Sequence, residues 1–122
     1  MTALGSPTLR RLAFWVPLAI CTWMSLGDGA ALAATQVNDK LAHCLAFVYL
    51  GFALQLAHLR LPALLAGLAL LAYGGAIELI QGALPYRHAE WNDLVADALG
   101  IAVALLLYRL IGDRVLRVLG VR

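Results

Sequence analysis

Four long apolar segments, separated by short polar stretches, dominate the pattern along the chain. Crossing the roughly 30 Å hydrocarbon core of a bilayer takes about 20 helical residues, and each segment approaches that length. Charges or turn residues bound them, since Arg60 and Pro62 follow the second segment and Pro85 closes the third. The pattern predicts an all-α fold, a polytopic membrane bundle of four transmembrane helices. These helices are predicted to cover about residues 12–26, 41–59, 63–84 and 94–111.

The amino-acid composition also predicts a membrane protein. Of the 122 residues, 63% are hydrophobic and 13% are charged, and the mean hydropathy is +0.86. A small soluble domain has too little interior to bury so many apolar residues, so we expect the surplus to contact the lipid bilayer. The formal net charge is +2, but the basic residues form no stripe that could follow a nucleic-acid backbone. No nucleic-acid partner is predicted, and the oligomeric state stays open.

The distribution of Lys and Arg predicts that both termini lie in the cytoplasm. Positive side chains resist translocation, so they accumulate in cytoplasmic loops. We therefore expect a multi-pass protein of the inner (cytoplasmic) membrane, with residues 1–11 as a cytoplasmic N-terminal segment, 12–111 as the membrane domain and 112–122 as a basic cytoplasmic tail. In this orientation only Lys40 and Arg87 lie outside, whereas the inside holds the arginines at positions 10, 11, 60, 109, 114, 117 and 122.

The first segment has an alternative interpretation as a cleaved secretory signal. Two arginines precede its apolar core, and Ala31-Leu32-Ala33 supplies the small residues of a cleavage site. Its loss would leave three spans without reversing the others. Cys21 and Cys44 lie within apolar segments without CxxC spacing. We interpret both as small core residues, and a disulfide between them remains an alternative.

Seven polar side chains gather at the predicted outer ends of three helices. On each helix, at least one pair of these residues is three or four positions apart and therefore shares a helix face. Glu78 lies well inside the third helix, where an ionised carboxylate needs a cation, several donors or a water-filled pocket. The spacing predicts an outward-facing polar pocket. Its members are Asp39, Lys40 and His43 on the second helix, Glu78 and Gln81 on the third, and Asp93 and Asp97 on the fourth.

Several of these residues also have a purely structural interpretation. Asp39 and Asp93 are suited to capping helix N-termini. Lys40 is suited to snorkelling, in which the aliphatic part of the side chain packs on apolar surface and the ammonium group reaches the membrane interface. His43 and Gln81 suit hydrogen bonding between helices. Glu78 and Asp97 are harder to explain in this way, because both lie inside their helices.

An ordered set of short motifs resembles the VanZ-like membrane protein family. The set consists of Asp39-Lys40-Leu41-Ala42-His43, the stretch from Tyr73 to Gln81, Pro85 to Arg87, and Asp93 with Gly100. The resemblance implies a small multi-helix protein of the bacterial envelope, from a family named after a member that lowers susceptibility to the glycopeptide teicoplanin. The family pattern often has asparagine where this chain has Asp97. The family's polar motif falls on Asp39, Lys40, His43, Glu78, Gln81, Arg87 and Asp93, and this resemblance adds Arg87 to the predicted pocket.

Three hypotheses for the function follow, and a binding or accessory role is favoured. In it, the pocket engages an envelope lipid or a peptidoglycan-related group, and Lys40 and Arg87 attract an anionic head group. The second hypothesis is a membrane-embedded hydrolase or transferase with His43, Glu78 or Asp97 as acid and base. The third is a structural role, in which the cluster only joins three helices. No cofactor and no metal site are predicted, because HExxH and other compact ligand motifs are absent from the sequence.

Overall fold

Four α-helices form the described part of the chain. The computed structural model describes residues 5–27, 38–86 and 90–121, and these residues contain no strand. This confirms the predicted all-α fold class. The helices are α1 (Pro7–Leu26), α2 (Asp39–Ala57), α3 (Ala63–Ala83) and α4 (Trp91–Val118).

Helices α1 and α4 extend by at least five residues beyond the segments that hydrophobicity predicts, whereas the bounds of α2 and α3 agree within two residues. Helix α1 begins at Pro7 because Ser6 caps it, with the Ser6 Oγ accepting the Leu9 N–H at 3.2 Å. Helix α4 continues to Val118, through most of the stretch predicted as a basic tail. At 1.5 Å per residue its 28 residues extend about 42 Å, which is longer than the hydrocarbon core. The arginines in its last turns can therefore reach the membrane interface.

Three of the four described helices are both long and apolar enough to cross a membrane. The spans in α2, α3 and α4 have mean hydropathies of 1.5, 1.9 and 2.1. Helix α1 has 20 residues but is less apolar, because every stretch of 18 residues within it includes Arg10 and Arg11. It nevertheless packs against α2 and α3 and buries Phe14. Hydropathy thus supports three spans, and packing makes α1 the fourth member of the bundle.

Helix α2 lies at the centre of the bundle and supplies most of the core. Its most extensive interface is with α4, where small residues bring the two backbones together. A Cβ atom added at Gly51 would lie 2.5 Å from the Ala104 Cβ, and one added at Gly100 would collide with the Cys44 carbonyl oxygen. The core residues are Phe14, Phe47, Leu50, Ala53, Leu54, Ala57, Ala66, Leu70 and Ile101.

The bundle has two ends of opposite chemical character. At the basic end, Arg10 of α1 binds the carbonyl oxygen of Leu56 near the end of α2. At the polar end, Gln81 of α3 binds the carbonyl oxygen of Ser25 near the end of α1. Helices α1 and α3 therefore run in one direction and α2 and α4 in the other. The described charges at the basic end are Arg10, Arg11, Arg60, Arg109, Asp113, Arg114 and Arg117, a segregation consistent with the predicted cytoplasmic placement of that end.

A hydroxyl pair joins α1 to α3 near the polar end. Thr22 donates to the Leu18 carbonyl oxygen at 2.8 Å, so its oxygen accepts the hydrogen of the Tyr73 hydroxyl, 2.5 Å away. We expect Tyr73→Phe to lower the free energy of unfolding by about 1 kcal/mol, because this hydrogen bond is lost. Tyr108→Phe is the control, since the Tyr108 hydroxyl makes no hydrogen bond to the described residues. Equal stabilities of the two variants in detergent micelles would contradict this assignment.

Candidate functional site

Two aspartates of α4 hold a histidine of α2 between them. Asp93 and Asp97 are one turn apart and both are buried. His43 Nδ1 lies 2.8 Å from the Asp97 Oδ1, and His43 Nε2 lies 3.7 Å from the Asp93 Oδ2. An ionised carboxylate can only accept, so with Asp97 ionised the Nδ1 atom carries the hydrogen of this bond. The imidazole is thereby fixed in orientation.

Lys40 extends this arrangement towards the end of the bundle. Its Nζ lies 2.5 Å from the Asp93 Oδ1 and 3.2 Å from the Glu90 Oε2. Asp93 is buried, whereas the Lys40 and Glu90 side chains are partly exposed. The ammonium group thus offsets the charge of Asp93 at the point where the site opens outward.

Glu78 is a third buried carboxyl group of the site, and it lies on α3. It lies five residues before the end of α3, roughly 7 to 8 Å along the helix, and is 1% exposed. Its Oε2 accepts the backbone N–H of Glu90 at 2.8 Å. Its Oε1 is buried and has no hydrogen-bond partner in the described part of the chain. An unsatisfied buried polar atom costs about 1 to 3 kcal/mol, so a hydrogen-bond donor from outside the described residues would stabilise Oε1.

A glycine on α3 allows the two carboxyl-bearing helices to approach each other. A Cβ at Gly74 would lie 2.7 Å from the Asp97 Oδ2. Gly74 is one turn before Glu78, so the absence of a side chain there leaves room for Asp97 beside the Glu78 turn. We refer to Lys40, His43, Glu78, Glu90, Asp93 and Asp97 as the polar cluster.

Comparison with known proteins identifies the family. The VanZ/LLP1 family model matches residues 3–112, which is most of the chain. The chain belongs to the VanZ/LLP1 family. No curated protein and no solved structure matches it. Family membership and the apolar helices together establish a VanZ-like membrane protein.

The predicted pocket residues of this VanZ-like protein divide into three groups. Lys40, His43, Asp93 and Asp97 form one connected network, and Glu78 adjoins it through the Glu90 backbone. Gln81 is 2% exposed but turns away from the network. Its Nε2 donates to the Ser25 carbonyl oxygen at 2.8 Å, so Gln81 joins α3 to α1.

The side chains of two predicted pocket residues, Asp39 and Arg87, lie outside the described part of the structure. Asp39 begins α2, and Asn38 rather than Asp39 is the residue that caps this helix, with its Oδ1 accepting the N–H groups of Lys40 and Leu41 at 2.9 and 3.3 Å. The Asp39 side chain itself lies outside the described part of the structure. Arg87 also lies outside the described residues, so its predicted place in the pocket stays a prediction.

Sequence reasoning did not include Glu90, although it joins both halves of the cluster. Its side chain binds Lys40 and its backbone N–H binds Glu78. Its position directly before Trp91, the first residue of α4, is the signal that could have identified it, because residues at a helix start lie beside the preceding helix end in a short connection. Among the described residues, no three His, Cys, Asp or Glu side chains are placed to hold a single metal ion.

The two cysteines lie in the bundle as half-buried free thiols. Cys44 is close to the α2–α4 contact, where its carbonyl oxygen faces Gly100. Cys21 lies on α1, one position before Thr22. The structure therefore favours the interpretation of both as small packing residues over a disulfide between them.

Proposed function

We propose that this VanZ/LLP1 protein is a binding or accessory protein of the bacterial cell envelope, located in the inner (cytoplasmic) membrane. In this proposal the polar cluster faces outward and holds the polar part of an envelope lipid or of a peptidoglycan-related group. The single observation that carries the proposal is the buried Oε1 atom of Glu78, which lacks a partner among the described residues. A hydrogen-bond donor supplied by a ligand would satisfy that atom.

The charges of the polar cluster favour a ligand that donates hydrogen bonds. Its four carboxyl groups outnumber its cationic groups, and Lys40 and His43 already face carboxylates. Lys40 is thus less available to an anionic head group than its position in the sequence suggests. Amine or hydroxyl groups, as found on aminolipids and lipid-linked sugars, match an acceptor-rich site better.

A second candidate function is supported by the contact between His43 and Asp97. A histidine oriented by a carboxylate at 2.8 Å is a common arrangement for a general base. A membrane-embedded hydrolase or transferase acting on an envelope lipid would use it to take a proton from water or a hydroxyl group. Turnover of envelope lipids by the purified protein, lost in a His43→Gln variant, would favour this candidate over binding alone.

Replacing Glu78 with glutamine tests the binding proposal. The amide keeps the size of the side chain and retains one oxygen to accept the Glu90 N–H, but it replaces the unpartnered oxygen with an N–H donor. We expect the purified variant to retain at least about tenfold less of the co-purifying envelope lipid or lipid-linked sugar, because losing a charge-assisted hydrogen bond costs about 1.5 to 3 kcal/mol. Mass spectrometry of the bound lipids measures this loss.

Asp113→Asn is the matched control for this experiment. It removes an exposed carboxylate at the basic end and is expected to leave lipid retention unchanged. Unchanged retention in folded Glu78→Gln would contradict the proposal, and loss of folding in that variant would favour a purely structural cluster. Because the family is named after a member that lowers teicoplanin susceptibility, we include in the proposal that wild type lowers teicoplanin susceptibility in cells and that Glu78→Gln does not.

A further inference from the structure

A second cavity lies at the basic end of the bundle, far from the polar cluster. It is a groove of about 430 Å³ between α1 and α2, within the size range of small-molecule sites. Leu12 and Ala13 line one side, and Tyr49, Phe52 and Leu56 line the other. The groove is therefore almost entirely apolar, as expected for a surface that accommodates hydrocarbon.

One charged side chain lies in the wall of this groove. Arg10 is only 8% exposed. Its Nε donates to the Gly5 carbonyl oxygen at 3.1 Å and its Nη1 to the Leu56 carbonyl oxygen at 2.5 Å. These bonds use two of the five N–H hydrogens of a guanidinium group. No carboxylate of the described residues lies within ion-pair distance of Arg10, so its buried charge is uncompensated there.

The surroundings of the groove add positive charge. The described residues at this end include five further arginines and a single acid, Asp113. Basic side chains next to a membrane attract anionic lipids, with about 1 kcal/mol per residue near the surface. A buried charge normally has a partner, and the groove supplies apolar walls directly beside this one. A ligand that pairs with Arg10 from the groove therefore needs both an anionic group and a hydrocarbon chain.

We propose that the groove binds an anionic phospholipid, with one acyl chain along Tyr49 and Phe52 and the phosphate on the Arg10 guanidinium. A planar guanidinium with unused N–H groups is well suited to pair with phosphate. This lipid site is separate from the polar cluster and does not depend on the function proposed for that cluster.

Competition between two lipids with identical chains tests the site. The full-length protein is mixed in detergent with dioleoylphosphatidylglycerol and dioleoylphosphatidylcholine, and native mass spectrometry measures how much of each remains bound. We expect wild type to retain the anionic lipid at least about fivefold better, which is what 1 kcal/mol of preference corresponds to. Arg10→Gln should reduce that preference to within about twofold. Arg11→Gln, which removes the exposed neighbouring charge, should retain most of it.

A second pair of variants tests the groove without changing any charge. Ala13→Phe fills the groove and should lower retention of the anionic lipid severalfold, whereas Ala19→Phe, on an exposed part of α1 outside the groove, should not. Equal retention of the two lipids by wild type would overturn the proposal, as would equal losses in Arg10→Gln and Arg11→Gln. If Arg10→Gln does not fold, the comparison of Ala13→Phe with Ala19→Phe tests the proposal instead. Unchanged retention of the anionic lipid in Ala13→Phe then overturns it.

Discussion

Gly100→Ala is expected to lower the free energy of unfolding by about 3 kcal/mol, the upper part of the range for overpacking a close-packed interface. A Cβ at this position would collide with the Cys44 carbonyl oxygen and lie 3.0 Å from the Phe47 Cβ. Neither atom is the flexible end of a side chain, so α2 and α4 would have to move apart. This interface is the most extensive in the bundle, and reversible unfolding in mixed micelles measures the loss.

Gly75→Ala is the matched control, since it makes the same chemical change in the interior of a neighbouring helix. A Cβ at Gly75 would meet no atom within 4 Å. Alanine is a better helix former than glycine, so this variant should be as stable as wild type or more stable by about 0.5 to 1 kcal/mol. Equal effects of the two substitutions would contradict the close approach of α2 and α4 at Gly100.

Asp97→Ala is expected to lower the free energy of unfolding by about 2 to 4 kcal/mol. The substitution removes the acceptor 2.8 Å from His43 Nδ1 and leaves a void beside Gly74, where Asp97 now packs. Loss of one partner from a buried polar pair is costly because the remaining group stays desolvated. Unfolding measurements on the folded variant quantify this effect.

Asp97→Asn separates the hydrogen bond from the charge. The amide oxygen can still accept from His43, and the side chain has the same shape, so we expect a loss of no more than about 1 kcal/mol. Asp113→Ala, on the exposed face of the same helix, should change stability by about 0.5 kcal/mol or less. Equal losses in Asp97→Ala and Asp113→Ala would show that Asp97 is not part of a buried pair.

Features set by spacing within one helix could be predicted from the sequence. Asp93 and Asp97 are four apart, and that spacing places both on one face of α4, where the structure finds them around His43. The length of the apolar segments also predicted the helices, because the geometry of a helix depends on residues that are close in the sequence. The start of α1 at Pro7 was missed because the prediction followed hydrophobicity alone, although Ser6 and Pro7 together form a helix-start signal.

Features set by contacts between helices could not be predicted in this way. The bond from the Glu90 N–H to Glu78 depends on how the chain turns between α3 and α4. The direction of Gln81 depends on which helix lies beside α3, and nothing in its spacing from Glu78 distinguishes α1 from α4. Arg10 shows the same limit, since the sequence predicted it in a cytoplasmic N-terminal segment, whereas in the structure it is buried in α1 and binds the Leu56 carbonyl oxygen.

A crystal structure of the protein grown in a mesophase that contains an envelope lipid extract tests most directly whether the polar cluster is a binding site with Glu78 Oε1 as its acceptor. We expect a donor atom of a bound lipid or sugar about 2.7 to 3.2 Å from that oxygen. An Oε1 atom bonded only to groups of the protein itself, such as the Arg87 guanidinium, would contradict it.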